Sequence, residues 1–342
     1  MGSGGGDAEQ AHGKRGVNAT RPTMRHVADM AGVSLKTVSR VINAEAGVTP
    51  ATAERVTAAI AELGFERNDL AASLRHGRSS STLGLVIEDV ANPFYSAIAQ
   101  AVEAAARDRG FLLITASARE DAERERELVS ALLRRRVDAL LIVPAGPDHR
   151  YLASSSRAVF LDRPPLGIEA DTVLLDDHGG ARSAVEHLIA QGHTRIACVA
   201  DDSELYTMRQ RIAGYREALT AAGLAEDPAL LQTGNSDVAG AQAAVERLLR
   251  MPDKPTALFT ANNRNTIGAL HALAGAPNPV ALAGFDDFEL ADLLGTTVVR
   301  ADPWKLGEQG AALAFARLDG DDGPPRTVTI PTQLVQRGSG ER

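Results

Sequence analysis

Acidic, amide and guanidinium side chains fall at the ends of apolar runs in this chain: Asp89 and Asn92, Asp162 with Arg163, Asn262, and Asp286 with Asp287. Carboxylates accept paired hydrogen bonds from hydroxyls, and arginine donates from a rigid planar fork. Gathered around one cleft, such groups suit a ligand rich in hydroxyls. Each of them alone is as readily a turn or cap residue, so the reading rests on the set. Bond-breaking chemistry has no comparable support. There is no Gly-x-Ser-x-Gly and no His-Glu-x-x-His, and the eight histidines are scattered. The glycine run from Gly2 to Gly6 does not follow a strand, as a dinucleotide fingerprint must. We therefore expect no enzyme, no cofactor and no metal. Cys198 lies inside the apolar run Ile196 to Ala200 and reads as a buried, inert thiol.

A second set belongs to a different chemistry. Thr23 is placed to cap a short helix over 24–31, which Gly32 ends, and Ser34 to cap another over 35–43. Two short helices around a glycine-containing turn make a helix-turn-helix pattern. At 100° per residue, Val38, Val41 and Ile42 share the core face of the second helix. Lys36, Ser39, Arg40 and Asn43 lie opposite, free to enter a major groove, with Leu35 at the stripe's edge. A third helix starts at Thr49-Pro50, carries Val56, Ala59, Ile60 and Leu63 on one stripe, and stops at Gly64.

The run Met24-Arg-His-Val-Ala-Asp-Met-Ala-Gly-Val-Ser-Leu-Lys-Thr-Val-Ser-Arg-Val-Ile-Asn43 resembles the N-terminal signature of the lactose-repressor/galactose-repressor family of transcription regulators. The likeness continues through Thr49 to Val56 and Leu63 to Asn68, and spans roughly residues 22–337. It implies operator contacts from Thr23, Ser34, Leu35, Lys36, Thr37, Ser39, Arg40 and Asn43. Asn68 to Arg75 is similar to the family's hinge helix, which implies DNA contacts from Asn68 and Leu74, the latter as a minor-groove wedge.

The second part is similar to the two-lobed periplasmic sugar-binding fold. There the resemblance implies ligand contacts from Asp162 and Arg163, from Arg211 in Met208 to Tyr215, from Asn262 and from Asp286. Phe94 stands at an expected apolar wall. Asn235 occupies a position usually aromatic, and is included as an effector contact. Ala301 stands where a glutamine often reaches ligand, and Asn263 where an aspartate is common. The stretches 144–158 and 273–280 are short. These departures bear on which ligand is bound.

The elements that must position these groups follow from hydrophobic patterning. From Leu83 onward, near-continuous apolar runs alternate with helical segments, which implies parallel sheets covered on both faces. One series runs from Leu83 to Leu161 and a second from Thr172 to Gly284, giving two lobes with a cleft between them. Ligands in such folds bind outside the carboxyl ends of the strands. The expected architecture is an all-α helix-turn-helix head plus an α/β, two-lobed, periplasmic-binding-protein-like sensor. The expected boundaries are a disordered tail over 1–21, the DNA-binding head over 22–66, a hinge and linker over 67–81, and the sensor and dimerisation domain over 82–342.

The net charge of −8 divides unevenly, for residues 1–78 hold ten Lys/Arg against eight Asp/Glu and the rest 26 against 36. A mildly basic head on an acidic body fits phosphate contact by the head alone. The arginine- and glutamate-rich run Arg119 to Arg135 reads as a solvated helix face. No apolar run approaches the length of a membrane span, and the polar N-terminus carries no export signal. The expectation is thus a cytoplasmic, homodimeric regulator whose partners are double-stranded operator DNA and a small effector, a sugar or polyol. Control by a nucleobase or nucleoside, or by a protein partner, is the alternative.

Overall fold

A computed structural model describes residues 22–43, 45–65, 80–153, 157–274 and 280–341. The chain divides into two compact units, Met1–Arg78 and Ser79–Arg342.

In the first unit, α1 (Met24–Ala31), α2 (Leu35–Ile42) and α3 (Pro50–Leu63) enclose a small core. Val27, Ala28, Ala31, Val38, Val56 and Ala59 are its buried members. The turn between α1 and α2 works because Gly32 takes φ +63°, a left-handed conformation that costs glycine nothing. The Ser34 hydroxyl then accepts from the Thr37 N–H at 3.2 Å, and Thr49 does the same for Thr52 at 3.4 Å. These caps satisfy helix N–H groups that would otherwise lack partners.

The second unit carries two six-stranded sheets. The first strands are β1 (Thr82–Ile87), β2 (Leu112–Ser117), β3 (Ala139–Ile142), β4 (Ala158–Leu161) and β5 (Asp171–Leu175). Between them lie α4 (Pro93–Asp108) and α5 (Ala122–Arg134). After α6 (Asp177–Ala190) come β6 (Ile196–Val199), α7 (Tyr206–Ala221), β7 (Leu231–Gln232) and α8 (Val238–Leu249). Then follow β8 (Ala257–Thr260), α9 (Asn263–Leu273), β9 (Ala281–Phe285), β10 (Thr297–Arg300) and α10 (Pro303–Leu318), and finally β11 (Thr327–Ile330) and β12 (Gln333–Val335). The sheet orders are β11-β5-β4-β3-β1-β2 and β12-β10-β9-β8-β6-β7. The five strands of each lobe follow one pattern, with the order reversing beside β1 in one and β6 in the other. Crevices open at such reversals.

β1, β3 and β4 are buried at every residue, as the continuous apolar runs require, whereas β2, at a sheet edge, is half open.

One expectation needs correction. The strand beginning at Thr172, assigned from sequence to the second lobe, belongs to the first, where Val159, Phe160 and Leu161 pair with Asp171, Thr172 and Val173. The chain crosses between lobes three times: after β5, after β10, and between β11 and β12. Through the second crossing α10 returns to the first lobe and packs on α4. Gly307 permits this approach, since a Cβ there would lie 2.6 Å from the Ile98 carbonyl oxygen.

Candidate functional site

The cleft floor is built where strands end. Asp162 follows β4 and Asp286 follows β9, each at φ +66°, a left-handed turn that aspartate tolerates better than most residues. Both are almost wholly buried. Each uses one carboxylate oxygen and leaves Oδ1 without a hydrogen-bond partner.

Arg211, on α7, is buried beside Asp286. Its Nη1 donates to Asp286 at 3.0 Å and to the Ala261 carbonyl at 2.6 Å, while Nε donates to Asp177 at 2.7 Å. The guanidinium also lies 3.7 Å over the Phe285 ring, an orientation that favours cation–π attraction. Three buried carboxylates thus surround one cation, since Asp162 also feels its charge. Burial pushes the Asp177 carboxyl up to about 7, with Arg211 opposing and Asp162 adding to the rise. Asp162 and Asp286 are raised for the same primary reason, loss of solvent.

On the opposite wall Arg163 is held by Glu120, whose two oxygens each accept from it at 2.6 Å. Glu120 reaches it because Arg119 and Glu120 both adopt positive φ, +57° and +56°. Such backbone costs about 1 kcal/mol or more per residue and is retained where the surroundings impose it. Tyr95, buried behind, donates to Asp162 at 3.4 Å, and the Arg163 Nε has no hydrogen-bond partner. Phe94 is half-buried and lines the same space, with its ring edge-on to Tyr95 at 5.1 Å. The cleft encloses about 540 Å³, within the range of small-molecule sites.

The head presents a second surface. Lys36 and Leu35 are exposed on α2 and Asn43 at its C-terminal cap, while Ser39 and Arg40 are partly exposed. The Asn43 amide donates to Glu45 at 3.1 Å and more weakly to Ser39.

Residues 23–68 match the family described as bacterial regulatory proteins, lacI family, and residues 185–340 match the periplasmic binding protein-like domain. The ribose operon repressor of Escherichia coli is 32% identical over 328 residues, covering 93% of this chain and 99% of the relative.

The chain belongs to the lacI family.

It is accordingly a DNA-binding transcription regulator. Among solved structures of that family, the lac repressor dimer bound to operator and an anti-inducer matches with a TM-score of 0.82 at 27% identity, covering 94% of this chain and all of that one. The regulator CelR in complex with cellobiose matches with a TM-score of 0.68 at 34% identity, covering 93% and 100%.

Of the effector contacts expected from sequence, Phe94, Asp162, Arg163, Arg211, Asn262 and Asp286 all line the one cleft. Asn262 also caps α9, accepting from the Asn265 N–H at 2.8 Å. Asn235 does not line the cleft. Its amide donates inward to the carbonyls of Ala200 and Gln232, at 3.2 and 2.9 Å, and so serves a buried loop. Asp287 is likewise drawn aside, clamped by Arg337 and Arg300. Of the expected head contacts, Thr23, Ser34 and Thr37 sit at helix starts; the Ser34 and Thr37 hydroxyls share a hydrogen bond of 2.9 Å. Asn68 and Leu74 lie outside the described residues.

Sequence reading missed Glu120, Asp177 and Tyr95. Asp177 stands two residues past the end of β5, next to the cap Asp176, so a strand-end signal was present nearby. Glu120 carried no such signal, because its approach to Arg163 depends on a strained turn. The reading of residues 119–135 as solvated also needs correction at Glu125, which is fully buried. Its carboxylate accepts from the backbone N–H groups of Ala145 and Gly146 and from the Tyr151 hydroxyl. Burial alone would raise its pKa, but the His149, Ala145 and Tyr151 hydrogen bonds hold it below the usual range.

Cys198 is buried, and desolvation pushes its thiol up to about 12, consistent with an inert side chain. Among the described residues no helix is long and apolar enough to cross a membrane, and no cluster of side chains could hold a metal ion.

Proposed function

We propose that this regulator acts as a cytoplasmic homodimer whose operator affinity is set by a small polyhydroxyl effector, a sugar or polyol, and that it catalyses no reaction. The observation that carries the effector assignment is a set of buried atoms without hydrogen-bond partners on residues that line one cleft: Oδ1 of Asp162, Oδ1 of Asp286 and Nε of Arg163. Buried polar atoms without partners are costly, and a ligand with adjacent hydroxyls supplies both donors and an acceptor. The ribose operon repressor and the cellobiose complex of CelR support the same chemical class. The cleft draws its lining from both lobes, so a bound ligand favours one lobe arrangement, and its effect on DNA equals its differential binding to the two states.

On the head, Lys36 and Arg40 are assigned to the major groove, where such side chains favour guanine. One α2 reads only a few base pairs, so two copies related by symmetry are needed for a specific site.

The decisive experiment is a thermal-shift screen of the full chain against sugars, polyols and nucleosides, followed by operator release with each compound that binds. Saturation at a hundred times the dissociation constant stabilises the sensor by about 2.7 kcal/mol. Asp286→Ala abolishes that shift. Lys36→Ala and Arg40→Ala each weaken cognate operator binding by about 1–3 kcal/mol and random DNA less. A ligand whose affinity ignores both Asp286→Ala and Arg211→Ala would place the effector elsewhere.

A further inference from the structure

The charges of the cleft are unevenly matched. Seven acidic side chains line it against four arginines. Three of those arginines, Arg163, Arg211 and Arg264, offer no free pair of terminal nitrogens to a ligand, and the fourth, Arg209, is exposed and gives one terminal nitrogen to the protein. Arg163 gives both terminal nitrogens to Glu120. Arg211 is divided among Asp177, Asp286 and the Ala261 carbonyl. Arg264 is paired with Glu88 and Asp89, and Arg209 turns to the Glu204 carbonyl. Two of the carboxylates, by contrast, keep an acceptor unused, because Oδ1 of Asp162 and Oδ1 of Asp286, on residues that line the cleft, are buried without hydrogen-bond partners.

We propose that the cleft selects its effector by charge, taking polyhydroxyl ligands that are neutral or carry an amine and rejecting phosphorylated or carboxylated ones, with Glu120 as the specificity-determining residue. This deepens, and rests on, the polyhydroxyl reading above. Phosphate and carboxylate recognition uses the paired donors of a guanidinium. Glu120 occupies that fork on Arg163, the guanidinium whose Nε makes no hydrogen bond and lies 3.6 Å from the Asp162 carboxylate. An anion entering the cleft would displace Glu120 from it, or sit among the surplus carboxylates at low local dielectric, where like charges repel strongly. A hydroxyl or an ammonium group meets open acceptors instead. Such selection works by repulsion as much as by attraction. The backbone supports the role, for two successive non-glycine residues in left-handed conformation aim Glu120 at Arg163.

The test uses matched sets of glucose, galactose and ribose with their amino, 6- or 5-phosphate and uronate counterparts, read by thermal shift and operator release on the full chain. For any parent sugar that binds, the amino form should bind at least as well and the anionic form about tenfold or more weakly. Glu120→Gln should narrow that gap to within about threefold. Millimolar inorganic phosphate, at constant ionic strength, serves as a probe that needs no known effector: it should leave the wild-type melting temperature unchanged and raise that of Glu120→Gln and Glu120→Ala. An anionic derivative bound as tightly as its parent, or discrimination unaltered in both variants, overturns the charge selection alone. If no neutral sugar, polyol or amino sugar stabilises the protein, the polyhydroxyl reading fails and this inference falls with it.

Discussion

Asp177 shows how burial turns a carboxylate from a simple partner into a source of stored cost. It is the first residue of α6, and its neighbours are one guanidinium and two further buried carboxylates. Its folded pKa of about 7 lies above that of an exposed aspartate, near 3.9. A raised folded value means that the protonated form is favoured by folding. The group's contribution is therefore fully present at low pH and lost as pH rises through 7. Groups with lowered values, such as Asp171, titrate below this window and do not mask the effect. The ligand-free protein should lose melting temperature between about pH 4 and pH 7, by on the order of a few kcal/mol in stability at most. Asp177→Asn keeps an acceptor for Arg211 Nε and removes the titration, so its pH profile should be flatter. Melts across that range decide the matter, and an equally steep fall in the variant would contradict the role given to Asp177.

At the scale of elements, Glu125 connects a helix to the rim of the cleft. It stands on α5, yet it holds the N–H groups of Ala145 and Gly146, which line the cleft, and the hydroxyl of Tyr151. His149 lies 3.3 Å from the same carboxylate, and its other ring nitrogen accepts from the Leu166 N–H at 3.0 Å. That leaves the proton on the nitrogen facing Glu125. One buried side chain thus organises two cleft-lining loops. Glu125→Ala strands these donors and should cost about 1–3 kcal/mol of sensor stability. Urea unfolding measures this cost, and hydrogen exchange at Ala145 and Gly146 should accelerate in the variant. Unchanged exchange there would separate Glu125 from the rim. Charge patterning marked a helix within Arg119 to Arg135, which α5 occupies from Ala122 to Arg134, but it read this face as solvated. A sequence pattern reports which residues share a face; it does not report a loop that later folds over that face.

For the whole molecule, the two lobes are tied across the cleft. Arg264 of the second lobe pairs with Asp89 and Glu88 of the first at 2.8 and 3.3 Å, and the Asn263 amide donates to Asn92 at 2.9 Å. These partners are only partly exposed, so each contact exceeds a solvated surface pair and still amounts to about 1 kcal/mol. An equilibrium between open and closed lobes is shifted several-fold by that much. Arg264→Ala should therefore increase the ligand-free radius of gyration in small-angle scattering and weaken effector affinity by about fivefold. A scattering profile identical to wild type would show that other contacts hold the lobes.

The sequence by itself determined the helix-turn-helix head, the alternation of buried strands and helices, and the aspartates and asparagine at strand ends that face the cleft. These are local properties, because caps, periodicity and strand-end turns depend on residues a few positions apart. Tertiary structure decided the membership of the lobes, since the partners of β5 include β11, some 150 residues away in the chain. It also decided which charges meet. Glu120 and Arg163, Asp177 and Arg211, and Arg264 and Asp89 are each separated by 34 residues or more in sequence. Long-range pairing likewise turns Asn235 to the Ala200 carbonyl and Asp287 to Arg337, outside the cleft lining. An ionisable side chain takes its role from the dielectric and the charges around it, and those are assembled only when the distant segments pack.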